Sequence, residues 1–275
     1  MGVKTVKFLK WAGGKEMLLP QLEPFFPKDI DRYIEPFLGS GALFWHIATT
    51  RKPKTVILAD TNEELINVYI QVRDSVEKLI RSLEKRKLAH FANENYYYEV
   101  RAELPSKLNP IERASRFIYL NRTCFNGLYR VNSKGEFNVP KGSYKNPNIV
   151  QTDNLREASK LLQGVSILCT PFQVTLRKAK PGDVVYLDPP YHPLKPTSFT
   201  SYSVNIFGEK EQQDLKEEFD RLVNLGCTII ESNSDMPFIR NLYTNYKLST
   251  ILAKRLINSK SAARGNINEA IIHNK

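Results

Sequence analysis

Apolar and polar positions follow two different rules along this chain. At both ends, short β-branched or aromatic runs alternate with stretches whose apolar residues recur every three or four positions; the middle shows only the second pattern. Residues 33–35, inside "YIEPFLGSGALFWHIA", read as a short strand followed by a glycine turn and a helix, and "TVILAD" at 55–60 reads as the next strand. From 62 to 122 the periodicity is helical, in three segments broken near Ala92 and between Pro105 and Pro110. Residues 129–139, "YRVNSKGEFNV", predict a hairpin turning at Ser133-Lys134-Gly135. Alternation then returns: a helix at 153–163, "VSILCT", "DVVYLDPPY", the helix "EKEQQDLKEEFDRLVNLG", the strand "CTIIESNS", a short helix near 236–243 and strands around 245–252 and 269–273. Alternating β and α units predict an α/β fold with a doubly wound, mostly parallel, Rossmann-like sheet. The segment 62–149 is then an insertion between two parts, 1–61 and 150–275, of one discontinuous domain.

The run Val184-Val185-Tyr186-Leu187 is apolar enough for a central strand, yet it stops on Asp188-Pro189-Pro190-Tyr191. A residue before proline is pushed out of the helical region, so Asp188 and Pro189 are both held extended. Such stiffness suits the presentation of a carboxylate, a carbonyl and a ring to a guest; for Tyr191 the plainer alternative is a core aromatic.

Glycines in Glu35-Pro36-Phe37-Leu38-Gly39-Ser40-Gly41 sit between strand and helix, where they let backbone approach a ligand. A dinucleotide fingerprint needs a third glycine where Phe44 stands, so another adenosine-bearing ligand fits better than NAD. Asp60, at the end of the following strand, is placed to accept hydrogen bonds from ribose hydroxyls. Thr61 and Glu64 form a capping-box pattern for the next helix, which predicts that Asp60 stays free for a ligand. Near the start, Trp11-Ala12-Gly13-Gly14-Lys15 sets an aromatic and a cation around small residues.

Charge adds a partner. The 275 residues carry 40 Lys and Arg against 29 Asp and Glu, a net +11, which favours a polyanion. Much of the excess lies between 107 and 145, in Lys107, Arg113, Arg116, Arg122, Arg130, Lys134, Lys141 and Lys145, opposed there only by Glu112 and Glu136. Arg116, Arg122, Lys134, Lys141 and Lys145 are each either a phosphate contact or solvated surface charge. Cys124, Cys169 and Cys227 form no close pair, and with His46, His90, His192 and His273 they match no disulfide framework or metal spacing, so no metal is expected. No apolar stretch has the length of a signal peptide core or a membrane span; the expectation is a soluble, cytoplasmic protein with no membrane contact.

In order along the chain, "FLKWAGGK", "EPFLGSG", Asp60 and "DPPY" resemble the Dam family of DNA adenine methyltransferases, and so do "LNRTCFNGLYRVNSKGEFNVPKGSYKNP", "PTSFTSYSVNIFGEKEQQDL" and the "ISNH"-like Glu231-Ser232-Asn233-Ser234. The resemblance covers nearly the whole chain. It implies transfer of a methyl group from S-adenosyl-L-methionine to the exocyclic N6 amine of an adenine flipped out of double-stranded DNA, within GATC, and leaves open a companion restriction endonuclease. By similarity, Trp11, Lys15, Phe37, Gly39, Gly41, Asp60 and Asp188 would hold the cofactor. Asp188, Pro189 and Tyr191 would act on the base. Lys10, Phe125, Asn126, Leu128, Arg130 and Pro140 would touch DNA, with Arg130 reading a guanine, in a target-recognition insertion.

The residues also support this chemistry directly. The amine of adenine is a poor nucleophile because its lone pair is delocalised; the Asp188 carboxylate and the Pro189 carbonyl can accept its two N–H bonds and localise that pair. Asp-Pro-Pro-Tyr by itself suits any planar nitrogen, so an RNA or protein-amide N-methyltransferase remains the alternative, and charge alone fits a non-enzymatic DNA-binding module. Cytosine C5 methylation is excluded because no cysteine follows a proline; deamination is excluded because its zinc signature is absent.

Overall fold

The computed structural model describes residues 6–11, 13–191, 207–254 and 266–275. Its strands are β1 (Arg32–Glu35), β2 (Thr55–Asp60), β3 (Ser166–Cys169), β4 (Val184–Leu187), β5 (Thr228–Ser234), β6 (Lys247–Lys254) and β7 (Asn266–His273). They form one sheet in the order β3-β2-β1-β4-β5-β7-β6. The first five run parallel, and β7 enters antiparallel between β5 and β6. This is the doubly wound, mostly parallel sheet that the alternation predicts. Strand order reverses between β1 and β4, and in such sheets the crevice beyond the carboxyl ends at that reversal is where ligands bind. Glu35 ends β1, and Asp188 follows β4 at the same edge.

The helices are α1 (Leu19–Leu22), α2 (Ala42–Thr50), α3 (Glu63–Ala92), α4 (Tyr96–Ala102), α5 (Pro110–Thr123), α6 (Thr152–Leu161), α7 (Phe172–Leu176), α8 (Glu209–Leu225) and α9 (Pro237–Leu242). Successive strand residues point to opposite faces, so the strands feed two cores. Tyr33, Leu58, Tyr186, Ile230 and Ile271 pack toward α2, α3 and α6, whereas Ile34, Ile57, Val185, Leu187, Ile229 and Ile272 pack toward α7, α8 and α9. Burying each such side chain contributes about 1.5 to 3 kcal/mol. Phe219 of α8 is fully buried, and its truncation to alanine would cost about 3 to 5 kcal/mol.

The central helical segments fall where the periodicity puts them. α3 is broken at Ser75, whose φ of −143° is not helical. α3 packs against α5, α6, β2 and β3, and one continuous apolar cluster runs from the sheet into Phe117, Ile118 and Leu120 of α5. α5 starts sharply because Asn109 accepts from Ile111 and Glu112, Glu112 returns a bond to Asn109, and Pro110 occupies the first turn. The predicted hairpin is reduced to a single bridge, Val131 to Phe137, around a turn in which Asn132 accepts from Lys134 and Glu136. α7 was not anticipated, since five residues give too little periodicity to read. Part of "PTSFTSYSVNIFGEKEQQDL" and His192 lie outside the described residues, as does Ala12.

Candidate active site and nucleic-acid interface

β4 delivers Asp188 to the crevice with all four strand residues buried. A short turn of helix beginning at Lys15 brings a cation there from the N-terminal segment. The Lys15 ammonium, only 4% exposed, lies 3.0 Å from Asp188 Oδ1 and 3.4 Å from Glu269 Oε2 of β7. It also donates to the Tyr191 hydroxyl at 2.5 Å and stands 4.4 Å from the centre of that ring. Tyr191 in turn donates to Glu269 at 2.7 Å. Burial pushes the Asp188 carboxyl up to about 6; Lys15 opposes that rise and Glu269 adds to it. The quartet therefore meets one buried cation and a second acid that no sequence motif announced.

Two further acids stand behind it. Burial raises Glu35 to about 8, although Tyr33 donates to it at 2.8 Å. Burial likewise raises Glu231 to about 7; Tyr243 and Asn233 donate to it at 2.8 and 2.9 Å. A parallel sheet covered on both faces favours apolar strands throughout, so the acids in "RYIE", "TIIESNS" and "NINEAIIH" were the available signal for a polar site.

The glycine turn is built as a close approach. Gly39 and Gly41 have φ of 49° and 67°, and a Cβ on Gly39 would come within 3.0 Å of Trp11 Nε1. On Gly41 it would come within 2.9 Å of the Tyr69 hydroxyl. Asp60 does not stay free, which corrects the capping-box expectation. Asn62, not Thr61, caps α3 by accepting from Leu65, and Glu64 instead takes Arg113. Asp60 accepts from Gly39 at 3.1 Å through one oxygen and from Asn62 at 2.9 Å through the other, tying the end of β2 to the glycine turn. A carboxylate accepts about four hydrogen bonds, so capacity remains for a ligand hydroxyl beside the Gly39, Asn62 and Thr61 amides. Burial raises the Asp60 pKa, and these backbone donors oppose the rise. Phe37 packs against Phe172 and Phe207, at 5.5 and 5.8 Å between ring centres, making an aromatic wall. Phe172 sits on α7, whose five residues are too few to show a helical period.

Trp11 joins this pocket to the basic segment. Its ring stacks on Tyr129 at 6.0 Å and Phe117 at 6.4 Å while its edge faces Gly39. Asn121 clasps the adjoining backbone, accepting from Lys10 and donating to Lys10 and Gly127. The Lys10 ammonium lies 3.9 Å from the centre of the Tyr144 ring. Phe125 is half exposed, Asn126 adopts a left-handed conformation with φ of 54°, and Pro140 accepts from the Phe125 amide. Leu128 packs partly into the core. Arg130 is exposed and rests on Asn138. Lys10 is thus tied through Asn121 to Gly127, with Phe125 and Asn126 before it and Leu128 and Arg130 after it, and Pro140 is tied to Phe125, along one surface segment beside Trp11.

Not every basic residue belongs to that surface. Arg116 is buried and donates to the carbonyls of Val100 and Arg101, so it is neither of the alternatives its charge suggested. Arg113 pairs with Glu63 and Glu64, and Arg122 donates to the Asn148 carbonyl. Charge counted along a sequence cannot tell a guanidinium that closes a helix end from one that waits for a phosphate. Among the described residues, no group of His, Cys, Asp and Glu could hold a metal ion, and no helix is long and apolar enough to cross a membrane.

Residues 11–257 match the family model of the D12 class N6 adenine-specific DNA methyltransferases. The chain is 41% identical over 272 residues to the Type II methyltransferase M.MjaIII of Methanocaldococcus jannaschii, covering 94% of each chain. It is 38% identical over 274 residues to a DNA adenine methylase of Haemophilus influenzae, covering 98% of this chain and 93% of the relative. With a DNA adenine methylase of Escherichia coli K12 the identity is 35% over 269 residues, covering 98% and 95%. The acid-and-cation crevice, the close-packed glycine turn and this likeness over nearly the full length agree: the chain belongs to the D12 class of N6 adenine-specific DNA methyltransferases.

Proposed function

We propose that the crevice at Asp188 transfers a methyl group from S-adenosyl-L-methionine to the N6 amine of an adenine flipped out of a GATC site in duplex DNA. The single observation that carries this reading is Asp188, which stands at the sheet reversal on a strand end stiffened by two prolines and is paired with the buried Lys15. In its carboxylate form Asp188 accepts one amine N–H, and the Pro189 carbonyl accepts the other, which localises the nitrogen lone pair. Tyr191 offers the face on which the base stacks, so the amine is held in line and the base must leave the duplex to reach it.

The pocket suits the donor. Gly39 and Gly41 let the turn draw up against Trp11 and Tyr69, Asp60 keeps acceptor capacity for ribose hydroxyls, Phe37 and Phe172 form an apolar wall for a purine, and Lys15 supplies a cation for a carboxylate. When bound, S-adenosyl-L-methionine supplies an electrophilic methyl carried on a sulfonium.

Segment 62–149 serves as the recognition unit. Arg130 reads guanine O6 and N7, Phe125 and Asn126 enter the duplex, Leu128 meets a thymine methyl, and Lys10 and Pro140 border the site. The likeness to a Type II methyltransferase leaves a partner endonuclease open. Tritiated S-adenosyl-L-methionine offered with duplex DNA, structured RNA and protein tests the substrate class: label is expected in DNA containing GATC and absent from DNA lacking it. Asp188→Ala should abolish transfer while duplex binding survives, and normal turnover by that variant would sink the mechanism.

A further inference from the structure

Behind the quartet lies a buried polar chain that the reaction as written does not use. Gln212 of α8 is fully buried, and its Nε2 donates to the Pro190 carbonyl at 3.0 Å. Its Oε1 accepts from Asn233 Nδ2 at 2.9 Å, and the other hydrogen of that amide goes to Glu231 Oε1, also at 2.9 Å. Asn233 Oδ1 accepts from the Ser234 amide at 2.8 Å, and Tyr243 donates to the second Glu231 oxygen. Glu231 lies in register with Leu187, the residue before Asp188.

Every polarity in this chain is determined. The Ser234 amide only donates, so Asn233 must turn its oxygen to that amide and its amino group toward Glu231. That same amino group then reaches Gln212 Oε1, which leaves the Gln212 amino group facing Pro190. The outcome matters because the proline rings already lock φ at 189 and 190. The remaining freedom at the tip is ψ of Pro190, which sets the plane of the peptide leading into Tyr191, and a hydrogen bond to the Pro190 carbonyl fixes it. Glu269 and Lys15 hold the far end of the same side chain.

We propose that Gln212, oriented by Asn233 and Glu231, is a positioning residue for methyl transfer: it sets the Pro190–Tyr191 peptide and with it the ring on which the target base rests. The proposal rests on the function assigned to this crevice. All three residues are fully buried, so losing the orientation should slow the chemical step and spare cofactor binding.

The test compares kcat and the KM for S-adenosyl-L-methionine in the full chain with GATC duplex, alongside thermal unfolding. Gln212→Met keeps the volume and removes the donor; kcat should fall about tenfold, the kinetic equivalent of one lost hydrogen bond, with KM changed less than about twofold. Glu231→Gln still offers an acceptor to Asn233 and can donate to the Tyr243 hydroxyl, so kcat should fall clearly less than in Gln212→Met. Adding Asn233→Asp to Glu231→Gln keeps the chain hydrogen-bonded but reverses its polarity, leaving Gln212 to present an oxygen to the Pro190 carbonyl; kcat should fall as in Gln212→Met. Wild-type kcat in folded Gln212→Met, or a Glu231→Gln variant as slow as the reversed pair, overturns the proposal. Wild-type protein that transfers no label overturns instead the function on which it rests.

Discussion

The Lys15 ammonium stands 3.0 Å from Asp188 Oδ1 and 3.4 Å from Glu269 Oε2, so one buried cation serves two acids of which one would meet the substrate. A carboxyl raised to about 6 loses its charge on mild acidification. If the carboxylate form accepts the adenine N–H, kcat/KM should fall below about pH 6. Lys15→Met removes the charge that favours the carboxylate and should move this acid limb to higher pH; Glu269→Gln removes a repelling charge and should move it lower. The measurement is the pH profile of kcat/KM for the three proteins. A limb that ignores both substitutions would detach the rate from Asp188.

Gly39 shows how tightly the cofactor turn is drawn against the aromatic stack. Gly39→Ala must place a side chain at φ of 49° and 3.0 Å from Trp11 Nε1, so it carries both the left-handed cost of about 1 to 2 kcal/mol and a displacement of Trp11. Gly135→Ala, at φ of 78° with nothing within 4 Å, carries the backbone cost alone. Titration calorimetry with S-adenosyl-L-methionine should find affinity lowered at least about tenfold by the first and unchanged by the second. Equal effects from the two would remove the turn from the pocket.

Local signals carried most of this architecture, and distant ones carried the rest. The parallel strands and α8 were legible because each announces its own period, and Asp188, Gly39 and Asp60 because each sits at a strand end or turn with its own punctuation. Glu269 and Gln212 had no such punctuation: the first reaches Lys15 across 254 positions of sequence only because β7 lies beside β5, and the second reaches Pro190 only once α8 packs on the sheet. The capping prediction failed at Thr61 for a related reason. Two adjacent residues could both cap α3, and the backbone geometry that chose Asn62 depends on Asp60 being held by Gly39.

Arg130 and Arg116 carry the same charge in the same basic segment but should fail differently when removed. Arg130 is exposed and, among the described residues, its side chain bonds to Asn138 alone, so Arg130→Ala should leave unfolding unchanged and relax discrimination at one guanine by about 1 to 3 kcal/mol. Arg116→Ala removes the charged hydrogen bonds to the Val100 and Arg101 carbonyls near the end of α4, of which Val100 keeps the Glu103 amide, and should cost about 1.5 to 3 kcal/mol of stability per lost charged hydrogen bond. The slope of DNA affinity against salt should be untouched by the Arg116 change, because a buried guanidinium releases no counterion from DNA. Competition binding against substituted sites, salt titrations and melting curves separate the two roles.

Glu35 predicts a pH dependence of stability with a definite sign. Burial raises its carboxyl from the ordinary 4.5 to about 8, so between those values the folded chain holds a proton that the unfolded chain has released. Stability then falls as pH rises from about 4.5 to about 8, because over that range the unfolded state binds fewer protons, and each unit of displacement is worth about 1.4 kcal/mol. Above about pH 8 the penalty is complete and the curve levels. Glu35→Gln keeps a group that can accept from Tyr33 but has no proton to release. It should flatten this decline and leave the variant more stable than wild type at pH 8, with little difference at pH 4.5. Denaturant midpoints measured across that range decide it: parallel curves for the two proteins would show that Glu35 titrates alike in the folded and unfolded chain.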